Sequence, residues 1–411
     1  MREGRKLTRL ELACGLVFGE DADAPKLPAT WAGGPRKALE DAVRPALVHP
    51  PCLVSFSGGR DSAAVLAVAA HVARREGFEP PIPVTNCFPD AAESDESEWQ
   101  ERVVRRLDLD DWQRVVLTDE LDCVGPVARK TLRRHGLLWP FNAYFHVPLL
   151  QRAAGGSLLT GAGGDEALST SPFARTQLLL AGAARPQPRD VLRVGFALAP
   201  APVRAQVLRR RIPDAFPWLR DHARRAVVRA AVQEVSAEPL RWRRRLEWLR
   251  RLRHMEVGLE SLDVLGDSEG VAIRHPLSDV GFWAELAALP RSLRFRSRTD
   301  AMRLLFGDLL PEPVLARTTK ASFDEAFWNR HSRAFAAAWE GQGVDSELVD
   351  LEALRREWFS AAPNPRSYLL IQAAWLDGAG SSGAAPDEVE DQVSGGVQRV
   401  PVARSPELPG R

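Results

Sequence analysis

Between residues 46 and 185 the apolar positions follow two alternating rhythms. Short continuous runs, "CLVSF" (52–56), "PIPVTNCF" (81–88), "WQRVVL" (112–117) and "GSLLTG" (156–161), predict four strands. Between them, Ser62–Arg75, "DESEWQERVVRRL" and "NAYFHVPLLQRAA" carry helical spacing. Strands separated by helices of this length predict parallel βαβ units, and runs that hardly alternate suit strands covered on both faces. The expected fold is therefore α/β, a parallel twisted sheet with helices on both faces. From 186 to 377 the pattern becomes helical: "RWRRRLEWLRRLRHMEVGLE", "DVGFWAELAALP", "RTDAMRLLFGDLLP" and "RSYLLIQAAWLDG" each read as one helix, two of them stopped by proline. Residues 1–45 form a mixed segment too short to be a domain by itself. The stretch 378–411, rich in Gly, Ser, Pro and acid, is read as a disordered tail.

Composition narrows the function classes. The chain has 411 residues, 45% hydrophobic and 27% charged, with a formal net charge of +1. That balance argues against a general polyelectrolyte affinity for nucleic acid or acidic membranes. No apolar run reaches the roughly 20 residues a bilayer span needs, and the start has no signal-peptide core, so a cytoplasmic protein is expected. Cys14, Cys52, Cys87 and Cys123 are widely spaced and read as reduced thiols. Of the 55 basic residues only Lys6, Lys26, Lys37, Lys130 and Lys320 are lysines, so a lysine within a motif stands out against the arginine background.

The chemistry begins where the first strand candidate ends. "SGGRDS" (57–62) places two glycines, two hydroxyls and a carboxylate in six residues, directly before a helix. At the carboxyl end of a parallel strand, such a turn offers backbone N–H groups and a helix dipole to an anion. Gly58 and Gly59 allow a phosphate to come close, while Ser57 and Ser62 can donate hydroxyl hydrogen bonds. Asp61 would repel a phosphate unless it holds a Mg²⁺ that neutralises it. The G-x-x-x-x-G-K-[ST] string of the common P-loop is absent. A hundred residues on, "SLLTGAGGDEALS" repeats the device: a strand delivers Gly163, Gly164, Asp165 and Glu166. "GLE", "RHPLSD" (Arg274–Asp279) and "AMRLLFGDLLPEPVLARTTKASF" follow in the helical part.

"SGGRDS" resembles the S-G-G-x-D-S signature of the PP-loop ATP pyrophosphatases, with the adenine nucleotide alpha hydrolase-like fold. Together with the later strings, it resembles the synthetase domain of the asparagine synthetases and their relatives, the β-lactam synthetases and lasso-peptide cyclases, over roughly residues 45–375. The resemblance implies ATP and Mg²⁺ as cofactors, with Asp61 and Asp165 as metal ligands. It also implies Lys320 as the residue that contacts phosphate and supports the charge of an adenylated intermediate, and Arg317 as a weaker candidate, since an arginine in so arginine-rich a chain is more often on the surface. Nucleotide binding is expected at Ser57, Gly58, Gly59, Asp61, Ser62, Gly163, Gly164 and the second strand end at Thr85. Lys320, Asp61, Asp165 and Glu166 form the expected catalytic set.

Two departures matter. The cysteine nucleophile of a glutaminase domain is missing after Met1, so ammonia or another amine is expected from a separate donor, or from the substrate itself. Ala162 stands where family members often carry Glu or Tyr for proton transfer from the attacking amine. Glu166, Glu260 and His146 are the candidates to replace it. The reading is an ATP-dependent, AMP- and pyrophosphate-forming amide synthetase acting on an unknown carboxylate of a small molecule or peptide, in a setting such as peptide natural-product biosynthesis. The competing readings are a tRNA-modifying PP-loop enzyme using the arginine-rich segment 241–254 as its footprint, and a catalytically degenerate partner protein. The bland account of those arginines is a solvated helix face beside a Trp/Leu core stripe.

Overall fold

The computed structural model describes residues 6–381 and 397–399, apart from 22, 29–32, 170–172, 174, 177–178, 180–181, 183–184, 210–215, 291–292 and 320. Five parallel strands form its centre: β1 (Cys52–Ser55), β2 (Ile82–Cys87), β3 (Gln113–Val116), β4 (Ser157–Leu159) and β5 (Ala272–Arg274). A sixth, β6 (Val397–Arg399), runs antiparallel to β3 at the edge, and the order across the sheet is β5-β4-β1-β2-β3-β6. The four strands expected from the sequence form within the quoted runs, in parallel register such as Val54↔Pro83 and Val54↔Leu159. The chain winds β1→β2→β3 to one side and returns to place β4 and β5 on the other. The reversal lies between β1 and β4, and in open α/β sheets ligands bind outside the strand ends at such a point.

Both faces are covered. Cys52, Val54, Phe56 and Leu159 pack into one apolar cluster with the helices Gly34–Leu47, Arg60–Glu76 and Val280–Ala288. Leu53, Leu158, Val84 and Ile273 pack into the other, with the helices Pro126–His135, Arg253–Glu269 and Tyr368–Ser381. Neighbouring strand residues thus alternate between two cores, which is why the runs read as continuously apolar. In the helix Arg60–Glu76, every residue from Ala63 to Ala70 is buried. Five alanines among them let the sheet and the neighbouring helices close in from all sides.

Several expectations need correction. β5 lies inside the stretch read as mainly helical, where no strand was expected. The 241–260 segment is two helices, Trp242–Arg250 and Arg253–Glu269, broken where Leu252 turns extended and forms a bridge with Glu20. "NAYFHVPLLQRAA" opens as a 3-10 turn, Ala143–His146, before the α-helix Val147–Arg152 with Pro148 in its first turn. Three residues of the expected tail form β6, and most of the rest lies outside the described residues. The arginines of 241–254 follow the bland account in part: Trp242, Leu246 and Leu249 are buried, Arg245 is buried against Glu238 at 2.7 Å, and Arg243 pairs with Glu247 at 2.9 Å. All four cysteines are free thiols, as expected. Among the described residues no helix is long and apolar enough to cross a membrane.

Candidate functional site

After β1 the chain passes through Ser57 into Gly58, whose φ is +84°. A Cβ there would lie 2.9 Å from Gln100 Cγ, so both backbone and space require glycine. The turn is closed by a small net. Ser62 Oγ donates to Gly59 O (3.1 Å), Gly59 N–H donates to Ser57 Oγ (3.3 Å), and Gln100 Nε2 donates to Ser57 O (3.2 Å). Gly59 opens the helix Arg60–Glu76 with no side-chain cap, so its first N–H groups and positive dipole end remain for an anion. Ser57, Gly59, Asp61 and Ser62 line a cavity of about 370 Å³.

The second turn follows β4. Gly163 has φ +88° and leads into the four-residue helix Gly164–Ala167 that carries Asp165. The two turns are packed backbone to side chain: a Cβ on Gly164 would sit 2.4 Å from Asp61 Cγ, and one on Gly161 3.0 Å from Ser62 N. "RHPLSD" braces this turn from behind. Ser278 Oγ donates to Ala162 O at 2.9 Å, and His275 Nδ1 lies 2.7 Å from Thr160 Oγ1. Asp279 caps the helix Val280–Ala288, accepting from Gly281 and Phe282 N–H at 2.8 and 3.1 Å.

The two aspartates meet. One guanidinium joins them: Arg298 donates through Nη2 to Asp61 Oδ2 and through Nη1 to Asp165 Oδ1. Burial pushes the Asp61 carboxyl up; Arg298 opposes that and the neighbouring Asp165 charge adds to it. The Asp61 side chain is 19% exposed and that of Asp165 59%, so the pair is approached from the Asp165 side. Asp61 Oδ1 is buried and has no hydrogen-bond partner. An orphaned carboxylate oxygen beside a second carboxylate fits a divalent cation. Among the described residues no three His, Cys, Asp or Glu side chains gather as a ready-made metal cage. Two carboxylates, with the remaining positions left to water and substrate phosphates, is the usual arrangement for Mg²⁺.

Arg298 was missed by the sequence reading. It is one arginine among many, and its only signal was its place after Ser297, whose Oγ accepts from Asp300 N–H (3.0 Å) to cap the helix Arg298–Phe306. Arg317 was undervalued as a surface residue. It is buried, forms a bidentate pair with buried Glu96, donates to Gly58 O at 3.0 Å, and lies 4.7 Å from the Trp99 ring. It thereby ties the 317–319 loop to the first glycine turn.

Other expected residues divide. Asp165 lines the cavity with the first-turn residues, while Gly58, Gly163 and Gly164 shape the turns behind it. Thr85 does not line it: its hydroxyl donates to Phe56 O (2.6 Å) and accepts from Trp112 Nε1 (3.1 Å), joining β2 to the end of β1. Glu166 also lies outside the lining, 3.7 Å from His254. Glu260 borders a different groove with Asp263 and Asp267. His146 lines the cavity together with Ala162, Phe145 and Phe323. Its Nδ1 lies 3.4 Å from Ala143 O, and burial lowers the imidazole to about 4, so the ring is neutral near pH 7. Lys320 lies outside the described residues.

The model of one protein family, described as Asparagine synthase, matches residues 35–377. The match takes in both glycine turns, the bracing "RHPLSD" segment and the Arg298 helix. No curated protein matches the sequence significantly.

Proposed function

The chain belongs to the asparagine synthase family, whose chemistry is ATP-dependent amide formation, and on that premise we propose that it adenylates a carboxylate and passes the acyl group to an amine. The observation that carries the proposal is the convergence of Asp61 and Asp165 on the single Arg298 guanidinium, between adjacent strand ends at the topological switch. In this reading the carboxylate oxygen attacks the α-phosphorus of ATP and pyrophosphate leaves. An amine nitrogen then attacks the acyl carbon, the C–N bond forms, and AMP leaves with the electrons of the broken C–O bond. The Asp61–Asp165 pair would hold Mg²⁺, which supplies charge neutralisation on the phosphate oxygens.

The chain's own groups divide the remaining work. The N–H groups at the start of the helix Arg60–Glu76, with Ser57 and Ser62, bind phosphate oxygens. Lys320 supports the charge that grows during transfer. With a methyl group at Ala162, the proton released by the amine needs another acceptor. His146 is placed for it, since it lines the same cavity and is neutral, with the ring nitrogen opposite Nδ1 carrying the lone pair. Glu166 and Glu260, the other candidates, lie outside the cavity lining. The amine is ammonia or a primary amine, from a separate donor or on the substrate, and the carboxylate belongs to a small molecule or peptide.

The test is pyrophosphate release from Mg-ATP across a panel of amino acids and carboxylated peptides, for wild type, Asp61→Ala and Asp165→Ala. The reading requires carboxylate-dependent release from the wild type and its loss in both variants. Equal behaviour of the three proteins would remove it and leave the degenerate-partner reading. The tRNA reading gains no support, because arginines of the 241–254 segment are engaged in ion pairs with Glu238, Glu247 and Glu11.

A further inference from the structure

We propose that Arg298 is the built-in counter-cation of the metal site: its guanidinium holds Asp61 and Asp165 as a pair, and a magnesium-nucleotide displaces it from them. Metal entry is then an exchange of cations rather than an addition, and the proposal rests on the reading of the two aspartates as the metal pair. Two carboxylates brought to one point repel, and the more buried of them, Asp61, has the greater need of a counter-charge. Arg298 supplies it, with one terminal nitrogen on each carboxylate. A cation shared by the two carboxylates, with the partnerless Asp61 Oδ1 among its candidate ligands, would lie beside the oxygens that Arg298 holds. A dication entering while the guanidinium stayed in place would face a cation in direct contact.

Three further features make Arg298 a displaceable partner rather than a fixed brace. Its Nε is buried without a hydrogen-bond partner, so the present position satisfies the guanidinium only in part. The neighbouring Arg60 guanidinium lies close enough for mutual repulsion. Arg298 is the first residue of its helix, and Ser297 caps that helix independently of the Arg298 side chain, so the side chain can leave without unwinding the backbone. The exchange is coupled to nucleotide. A bare divalent ion must expel the arginine with no new anion to receive it, whereas the polyphosphate brings negative oxygens for both cations.

The probe is Mn²⁺ alone, with bound and free ion distinguished by electron paramagnetic resonance, on wild type, Arg298→Ala, Arg298→Lys and Asp61→Asn. Arg298→Ala should bind Mn²⁺ about 10-fold or more tightly than wild type, as expected when a charged hydrogen-bonded competitor is removed. Arg298→Lys, which keeps the competing charge, should stay near wild type. Adding a non-hydrolysable ATP analogue should narrow the gap between wild type and Arg298→Ala. If Arg298→Ala fails to fold, Arg298→Gln keeps a polar side chain of similar reach and serves in its place. Thermal melting of either variant should rise more on adding Mn²⁺ than that of wild type. Binding no tighter in the neutral variants than in wild type, or a gap unchanged by nucleotide, overturns the proposal. If Asp61→Asn leaves Mn²⁺ binding unchanged, the aspartates are not the metal pair, and the proposed function falls with it. Asp61-dependent but equal binding by wild type and Arg298→Ala defeats the Arg298 proposal alone.

Discussion

Removing one half of the Arg317–Glu96 pair should separate folding from function. The two side chains are 4% and 6% exposed and bonded through both terminal nitrogens. In Arg317→Met the Glu96 carboxylate stays buried with no counter-ion, which costs about 3–5 kcal/mol. Against a typical stability of about 5–15 kcal/mol, that is a large fraction. Glu96→Leu should cost a similar amount by stranding the guanidinium. In the double variant no charge is stranded and the volume is nearly kept, so most of the loss should return, giving a coupling of about 3 kcal/mol. Function should not return with it. Gly58 O would still lack its 3.0 Å donor, the first turn would relax, and nucleotide-dependent turnover should stay about 100-fold down. Urea denaturation followed by tryptophan fluorescence reads the first effect, and pyrophosphate release reads the second. Single variants within about 1 kcal/mol of wild type would refute the buried-pair argument. A double variant with full turnover would refute the role of Arg317 in setting the turn.

Two other predictions concern the same region. Gly164→Ala places a methyl group 2.4 Å from Asp61 Cγ, so one of the two must move; pyrophosphate release should fall about 100-fold with circular dichroism unchanged, and normal turnover would mean that the approach of the two turns is dispensable. His146 is lowered from 6.5 to about 4, chiefly by burial; the Ala143 carbonyl opposes the shift and the charge of His275 adds to it. The unfolded chain therefore binds the proton better, so the stability present above pH 6.5 should erode as pH falls toward 4, by up to about 3 kcal/mol. His146→Gln should flatten that part of the denaturation-midpoint profile, and an identical slope in both proteins would contradict a neutral imidazole in the folded chain.

What the sequence could reveal followed from local chemistry. Strands β1 to β4 are short, but each lies in a run of mostly apolar residues that hardly alternates, and each glycine turn combines its small residues with acids in a way few other structures need. Their meeting was legible because both turns sit at strand ends, where a parallel sheet gathers its loops. β5 was invisible: three residues, two of them exposed, give no periodicity, and the strand is recognisable only by its partner β4. The break at Leu252 was hidden for the opposite reason, since the apolar spacing runs straight across it. Arg298 and Arg317 escaped because their importance lies in what they touch, and one guanidinium looks like another until its carboxylate is known. The hydroxyl of Thr85 ties β2 to Phe56, a pairing across strands that its position in the sequence does not announce.

The lateral position of β5 has a consequence for biosynthesis. When the ribosome has made only the first 185 residues, β4 is the outermost strand and nothing beyond it yet covers its open side. Ser278, Arg298 and Arg317 have not yet been translated, so the nascent chain holds its two glycine turns without the struts that set them. A fragment ending there should fail as an autonomous ATP-binding module. Splitting the gene at that junction should restore activity only when both halves are expressed together.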